Sequence, residues 1–192
     1  MSRKMSQSDQ VLAARIRPLQ VAKWQADYPW YRLESSIAEM GEDFGGLELV
    51  PDFQRGHVWT PEQQSHFIEN CLRGVIASDG YLLQFNCPNF DIERSGDLPA
   101  GLQCLDGLQR YTSVVRFVRG EITAFGYSAS DLARSMFCPR RLRMKVAIHT
   151  FQWRADLLEH YLAINAGGTP HSASEIDRVR QLLADSTSVV RV

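Results

Sequence analysis

The apolar positions of this chain fall into two periods, and the switches between them predict its elements. The apolar run at residues 102–105 reads as a short buried strand. Asp106-Gly107 breaks it sharply. Leu108, Tyr111, Thr112, Val115 and Val118 then recur at helical spacing, and Gly120 ends the pattern. The centre of the chain is therefore strand, tight turn, helix.

The flanking segments give a mixed order of helices and short strands. Residues 1–10 are polar and serine-rich and read as a frayed tail. Residues 16–21 predict a first strand, which Pro18 confines to an edge or a strand start. Leu33, Ile37 and Met40 predict a helix over 31–40 with Gly41 as its C-terminal cap. Residues 47–50 predict a short strand that runs into a loop at 51–59. Thr60-Pro61-Glu62-Gln63 is a helix start, with Thr as N-cap, Pro first and Gln third. Phe67, Ile68, Cys71 and Leu72 form the apolar face of that helix, and Gly74 ends it. Residues 81–85 read as a strand and 88–101 as a loop. Residues 122–139 are ambiguous, with a short helix around 130–136. Over 143–149, Met144, Val146 and Ile148 fall on one strand face and Arg143, Lys145 and His149 on the other. Residues 153–164 predict a helix that stops at Asn165-Ala166-Gly167-Gly168. Ser172 and Glu175 match a capping box, and Ile176, Val179, Leu182 and Leu183 continue a helix. No repeat or linker interrupts this order. It predicts one mixed α/β (α+β) domain over 15–185, a flexible tail over 1–14 and a loose one over 186–192.

Composition changes this picture little. At 192 residues and 44% hydrophobic, the chain has the material for one ordinary core. A net charge of −1 gives no global attraction to nucleic acid, so any such contact must come from a local patch. Cys71, Cys87, Cys104 and Cys138 stand far apart, which indicates neither a zinc site nor a disulfide framework and fits a reducing cytoplasm. Arg3 and Lys4 have no apolar run behind them, so no secretory signal is read. No segment approaches membrane-spanning length.

The candidate chemistry gathers at the central turn. Asp106, Gln109 and Arg110 fall at the N-terminus of the predicted helix, where free N–H groups and the helix dipole favour an anion. An Arg in a first turn opposes that dipole, so its charge answers to something else, and a phosphate is the obvious partner. The spacing of Asp106 and Gln109 also fits a capping box, and Gly107 also fits plain turn chemistry. Neither alternative explains Arg110.

Three segments carry a family resemblance. Pro51-Asp52-Phe53-Gln54-Arg55 with Val58-Trp59, then Leu105-Asp106-Gly107-Leu108-Gln109-Arg110, then Ile164-Asn165-Ala166-Gly167-Gly168-Thr169 with Glu175, occur in that order. Together they resemble the ParB-like domain at the N-terminus of GmrSD-type, modification-dependent restriction proteins, whose hallmark is Asp-Gly-Gln-Gln-Arg. The resemblance spans roughly residues 15–185. It departs at two places: Leu108 stands for the first Gln of the hallmark, and His57 where an aromatic is usual. The resemblance implies a ParB/sulfiredoxin-like fold, a small mixed sheet flanked by helices with a helical C-terminal part. It also implies a nucleotide site on the Asp-Gly-x-Gln-Arg turn, where NTP hydrolysis serves action on DNA.

On that site, Arg55 and Arg110 would clamp phosphate oxygens, and the backbone around Gly107 and Gln109 would cradle a phosphate. Asp106 would hold Mg²⁺ or orient the attacking oxygen. Gln54, Gln109 and Asn165 would orient water or read ribose and base. Each has a structural alternative: an ion pair of Arg55 with Asp52 or Glu62, an ordinary helix end for Asn165, a capping role for Glu175, core packing for Thr112. His57 reads as a general acid or base, or simply as exposed. Arg134, Arg140, Arg141, Arg143 and Lys145 form the dense basic cluster, which fits nucleic-acid phosphates or a charge-guarded strand edge equally. Trp24, Trp30, Trp59 and Trp153 fit core packing better than base stacking.

The expected function is a stand-alone, cytoplasmic NTP-binding and hydrolysing domain in phage–host conflict or DNA modification. A phosphotransferase acting on a hydroxyl, such as that of a modified DNA base, is the alternative. A nucleotide-gated adaptor or inhibitor with a protein partner is the third. A nuclease is fourth, disfavoured because no carboxylate-rich metal site is read; His57, His66, His149, His160 and His171 are scattered and form no histidine-rich nuclease motif.

Overall fold

The computed structural model of the chain describes residues 6–54, 56, 58–76, 82–165 and 173–189. Its central segment follows the sequence pattern. Strand β4 (Leu102–Asp106) ends at Gly107, and helix α4 (Leu108–Val118) starts directly after it. β4 lies inside a sheet with β1 (Trp24–Pro29), β2 (Leu47–Glu48), β3 (Leu82–Asn86) and β5 (Arg143–His149), in the order β1-β5-β3-β4-β2. β5 runs antiparallel to β1 and parallel to β3, while β4 runs antiparallel to β3 and parallel to β2. The sheet is thus mixed, as expected.

Period-2 alternation divides the strand side chains between two layers. On one face, Leu83, Phe85, Met144, Val146 and Ile148 meet Trp30, Ile37, Phe67, Val114 and Phe117 from α2 (Trp30–Phe44), α3 (Pro61–Leu72) and α4. On the other, Leu105 joins Phe53, Leu98, Phe151, Leu157, Tyr161 and Val179, under α5 (Arg154–Asn165) and α6 (Ala173–Val189). The first layer is mainly apolar, with Gln64 and Ser113 the buried polar side chains of its helices among the described residues. The second sets Asn86 and His149 of the sheet beside Phe151. Trp24, Trp30 and Trp59 pack into the first layer, whereas Trp153 is exposed.

Several predicted boundaries move, each for a local reason. Residues 16–21 form no strand; the first strand is β1. A helix, α1 (Gln7–Ile16), stands in what reads as tail, opened by reciprocal Ser6–Asp9 bonds and closed by Arg17 at φ 50°. α2 runs through Gly41 to Phe44, and Gly45 (φ 105°) caps it. Gly41 serves a close approach instead: a Cβ there would lie 2.7 Å from the Cβ of Leu47. Residues 130–136 form turns, because serine side chains satisfy backbone groups locally: Ser135 Oγ donates to the Leu132 carbonyl and accepts from the Phe137 N–H. α6 continues past Asp185 to Val189, with the Ser186 and Thr187 hydroxyls folded back onto the Leu182 and Leu183 carbonyls. The α3 start is as predicted, with Thr60 and Gln63 bonding reciprocally.

Gly107 is the residue the central turn cannot exchange. Its φ is 97°, and an added Cβ would lie 2.8 Å from the Leu82 carbonyl oxygen and 3.0 Å from Leu83 Cα. Gly107→Ala is expected to lower the unfolding free energy by about 1–3 kcal/mol, read from the urea midpoint. An unchanged midpoint would show that the turn rearranges at no cost.

Candidate functional site

The turn owes its shape to a bulge. Gln84 faces Asp106 across the β3–β4 ladder, but Phe85 faces Cys104, so Leu105 is an extra residue on β4. A bulge bends its strand and re-aims the residues beside it. Asp106 thereby stands opposite Gln84 at the strand end, and Gly107 turns the chain into α4. The Tyr111 N–H gives the helical ladder its bond to the Gly107 carbonyl, at 2.9 Å. No side chain caps this helix. Asp106 and Gln109 therefore do not form the capping box their spacing allows. The Asp106 carboxylate instead takes Nη2 of Arg110, one turn along α4. The side chains of this pair are 37% and 23% exposed, so solvent reaches both charges. Asp106 thus answers part of the charge that Arg110 places against the dipole.

Gln109 turns the other way. Its Oε1 accepts from the N–H groups of Val58 (3.0 Å) and Trp59 (3.1 Å), and its Nε2 donates to the Gly56 carbonyl (3.1 Å). One carboxamide thus staples the loop between β2 and α3 to the first turn of α4. Gln54, on the same loop, is buried; its Nε2 contacts Cys104 Sγ at 3.7 Å, and its Oε1 has no hydrogen-bond partner among the described residues. Phe53 packs on Tyr161, with ring centroids 5.2 Å apart. Asp52 is held from the opposite side: Arg154 Nη2 donates to its carboxylate and Arg178 Nη1 to its carbonyl, both at 2.6 Å. Two segments with the family resemblance thus meet, the 51–59 loop and the β4–α4 turn, and α5 and α6 hold the far side of that loop.

The remaining candidates divide. Arg55 and His57 lie outside the described residues, as do Gly167, Gly168 and Thr169, and so does the Glu175 side chain. Asp52, one alternative partner for Arg55, is engaged by Arg154. Leu108 is buried in the first apolar layer, so its departure from the hallmark is a core contact. Thr112 is half-buried. Asn165 donates from Nδ2 to the Tyr161 carbonyl (2.8 Å), the ordinary helix-end arrangement. Burial pushes the Cys104 thiol well above its usual value, and the Asp106 carboxylate pushes the same way, so this sulfur is no nucleophile. In the basic cluster, Arg134, Arg140, Arg141 and Arg143 are exposed and Lys145 is half-buried. β5 is not an edge strand: β1 covers it, with Asp27 opposite Lys145.

A buried histidine pair escapes the sequence reading. His149 of β5 and His160 of α5 have ring centroids 4.6 Å apart, and both are buried. Phe151 stacks on His149, and His149 Nε2 bonds Gln84 Oε1 at 3.0 Å. His149 Nδ1 and both nitrogens of His160 have no hydrogen-bond partner among the described residues. Burial, then the neighbouring His160, lowers the His149 pKa from 6.5 to about 4; burial lowers that of His160 too. The alternation of Gln84 and Asn86 with Leu83 and Phe85 was the one available signal that this face is polar.

Among the described residues, no group of three His, Cys, Asp or Glu side chains could hold a metal ion. Mg²⁺ needs no such group where a single carboxylate is completed by phosphate oxygens and water. Asp106 fits that requirement by position and exposure. No helix among the described residues is long and apolar enough to cross a membrane.

A family model described as "GmrSD restriction endonuclease, N-terminal domain" matches residues 37–180 of the 192. Searches among curated proteins and solved structures found no match to the chain.

Two outcomes follow from this geometry. Gln109→Ala is expected to speed hydrogen exchange at the Val58 and Trp59 amides while costing about 1–2 kcal/mol of stability; unchanged exchange would show that the loop is held by other contacts. The histidine pair predicts acid sensitivity. The unfolded chain takes up protons near pH 6.5, whereas folded His149 resists until about pH 4. Stability is therefore full above 6.5 and falls as pH drops toward 4, by on the order of 2–3 kcal/mol. His149→Gln should flatten this slope in urea titrations at several pH values.

Proposed function

Because the chain belongs to the family of GmrSD restriction endonuclease N-terminal domains, we propose that it binds an NTP at the Asp106–Arg110 turn. Hydrolysis of that NTP would serve a DNA-linked restriction or phage–host process. The observation that carries this reading is the Gln109 staple, which fixes the 51–59 loop against the turn beside the Asp106–Arg110 pair.

Each described residue then has a role that its position supports, while Arg55 keeps the role that the family resemblance implies. Arg110 exchanges its Asp106 partner for a phosphate oxygen, with Arg55 as the second clamp. Asp106 holds Mg²⁺ together with phosphate oxygens and water, or orients the attacking oxygen. Gly107, at φ 97° and close against Leu82 and Leu83, makes the tight turn that would present the first N–H groups of α4 to a phosphate. Gln54 Oε1, buried and unpartnered among the described residues, is an acceptor for a water or a ribose hydroxyl. Gln109 is a positioning residue: both ends of its amide hold the loop. Asn165 has its amide on its own helix and enters only if that bond is exchanged.

The test follows γ-labelled ATP, GTP and CTP with Mg²⁺, with and without normal and hydroxymethylated DNA. Free labelled phosphate supports hydrolysis. Label on DNA makes the protein a phosphotransferase, with Asp106 accepting the hydroxyl proton. Binding without turnover leaves a nucleotide-gated partner protein. Arg110→Ala is expected to weaken nucleotide binding by about 10–100-fold in a folded protein. Native affinity in that variant would overturn the site assignment.

A further inference from the structure

Between α4 and β5 runs a segment, residues 121–142, that contributes no helix or strand to the sheet beyond the 3₁₀ helix Pro139–Arg141. Its apolar side chains divide. Ile122, Ala124 and Cys138 are buried, while Phe125, Tyr127, Met136 and Phe137 are 49–74% exposed. Four large apolar side chains turned outward along one segment are not explained by packing.

The tip of this segment is held in a costly conformation. Ala124 and Tyr127 exchange both backbone bonds at 2.9 Å, with Phe125 (φ 52°) and Gly126 (φ 78°) between them. Two positive φ values make this a type I′-like turn, where Asn-Gly is the usual pair. A bulky aromatic in the left-handed region is an outlier. Glu69 of α3 holds it there by accepting the Phe125 N–H at 2.9 Å. The turn thus fixes an aromatic ring in solvent at a position where Asn would be less strained.

The charges of the segment complement this. Glu121 pairs with Arg116 and Arg119, and Asp131 accepts from the Ser128 N–H and hydroxyl. Its acidic groups are therefore engaged internally. Arg134, Arg141 and Arg143 are exposed without a carboxylate partner among the described residues, as are Arg15, Arg17, Arg32 and Arg73, but only this segment sets several such arginines among several exposed aromatic residues in sequence. Arg140 lies over the Tyr31 ring of α2, 5.3 Å from its centroid, and Tyr31 is itself 46% exposed.

We propose that residues 121–143 form a track for single-stranded nucleic acid, with Phe125, Tyr127 and Phe137 stacking on unpaired bases and Arg134, Arg141 and Arg143 holding phosphates. Exposed aromatic faces interleaved with unpaired cations are what such a strand requires. A duplex hides its base faces and can use only the arginines. The track does not include the Asp106–Arg110 turn, so the inference goes beyond the nucleotide reading and stands without it.

The test is fluorescence anisotropy with labelled dT and rU oligomers of about 20 nucleotides and a duplex of equal length, without nucleotide. The single strand is expected to bind more tightly than the duplex, and dT or rU as the tighter probe identifies DNA or RNA as the source. Phe125→Asn relieves the strained turn, so it should keep or raise the melting temperature while weakening single-strand binding about tenfold. Arg141→Gln should lower the slope of log affinity against log salt by about one. Duplex binding as tight as single-strand binding would overturn the proposal. So would native affinity in folded Phe125→Asn and Phe137→Ala.

Discussion

The Gln109 carboxamide is the contact on which the candidate site depends. An amide offers both acceptor and donor, so it can take two backbone N–H groups and still bond a carbonyl. A carboxylate there would lose the Gly56 bond, and an ammonium would lose the other two. The bonds span some fifty residues of sequence and tie the Gly56 carbonyl and the Val58 and Trp59 amides to α4, beside the packing of the Trp59 ring. The loop's far side is fixed by charge instead, through Arg154 and Arg178 on Asp52. Helices α5 and α6 therefore reach the turn at Gly107 both through the loop and through Leu105, which shares their core cluster. A change in how α5 seats on the sheet would be felt at the turn.

The two faces of the sheet make such a change unequal. The α2–α3–α4 face is packed mainly with apolar side chains and buries no histidine among the described residues. The α5–α6 face sets His149 against His160 beside Gln84, with ring nitrogens that have no described partner. Charging either ring places an uncompensated cation between β5 and α5. The Tyr161 ring that packs on Phe53 is the next residue of α5. The family motif thus leans on the face of the sheet that acid weakens first.

Much of the fold was legible because its signals are local. The strand, break and helix around Asp106-Gly107, the Thr60–Gln63 cap and the alternation of β5 each need only neighbouring residues. What sequence left open depends on partners far along the chain. Gly41 reads as a stop until Leu47 is seen against it. The basic residues of β5 fit edge guards as well as phosphate contacts until β1, more than a hundred residues upstream, is found covering that edge. Asp106 and Gln109 have capping-box spacing whether or not they cap, and only the 56–59 loop decides between the two. Leu108 departs from the family hallmark, but its burial explains the departure without reference to the site.

The Asp106–Arg110 pair is consistent with a site awaiting an anion. A half-buried ion pair that solvent still reaches contributes little, on the order of 1 kcal/mol or less. A phosphate offers the same guanidinium two parallel charge-assisted bonds, which are stronger than one contact to a carboxylate. On the proposed reading, exchanging Asp106 for phosphate is therefore favourable at Arg110. The same exchange frees the Asp106 carboxylate beside a new negative charge, where it would be repelled unless a cation joins it. On that reading the two steps are coupled: phosphate at Arg110 would create the need for Mg²⁺ at Asp106.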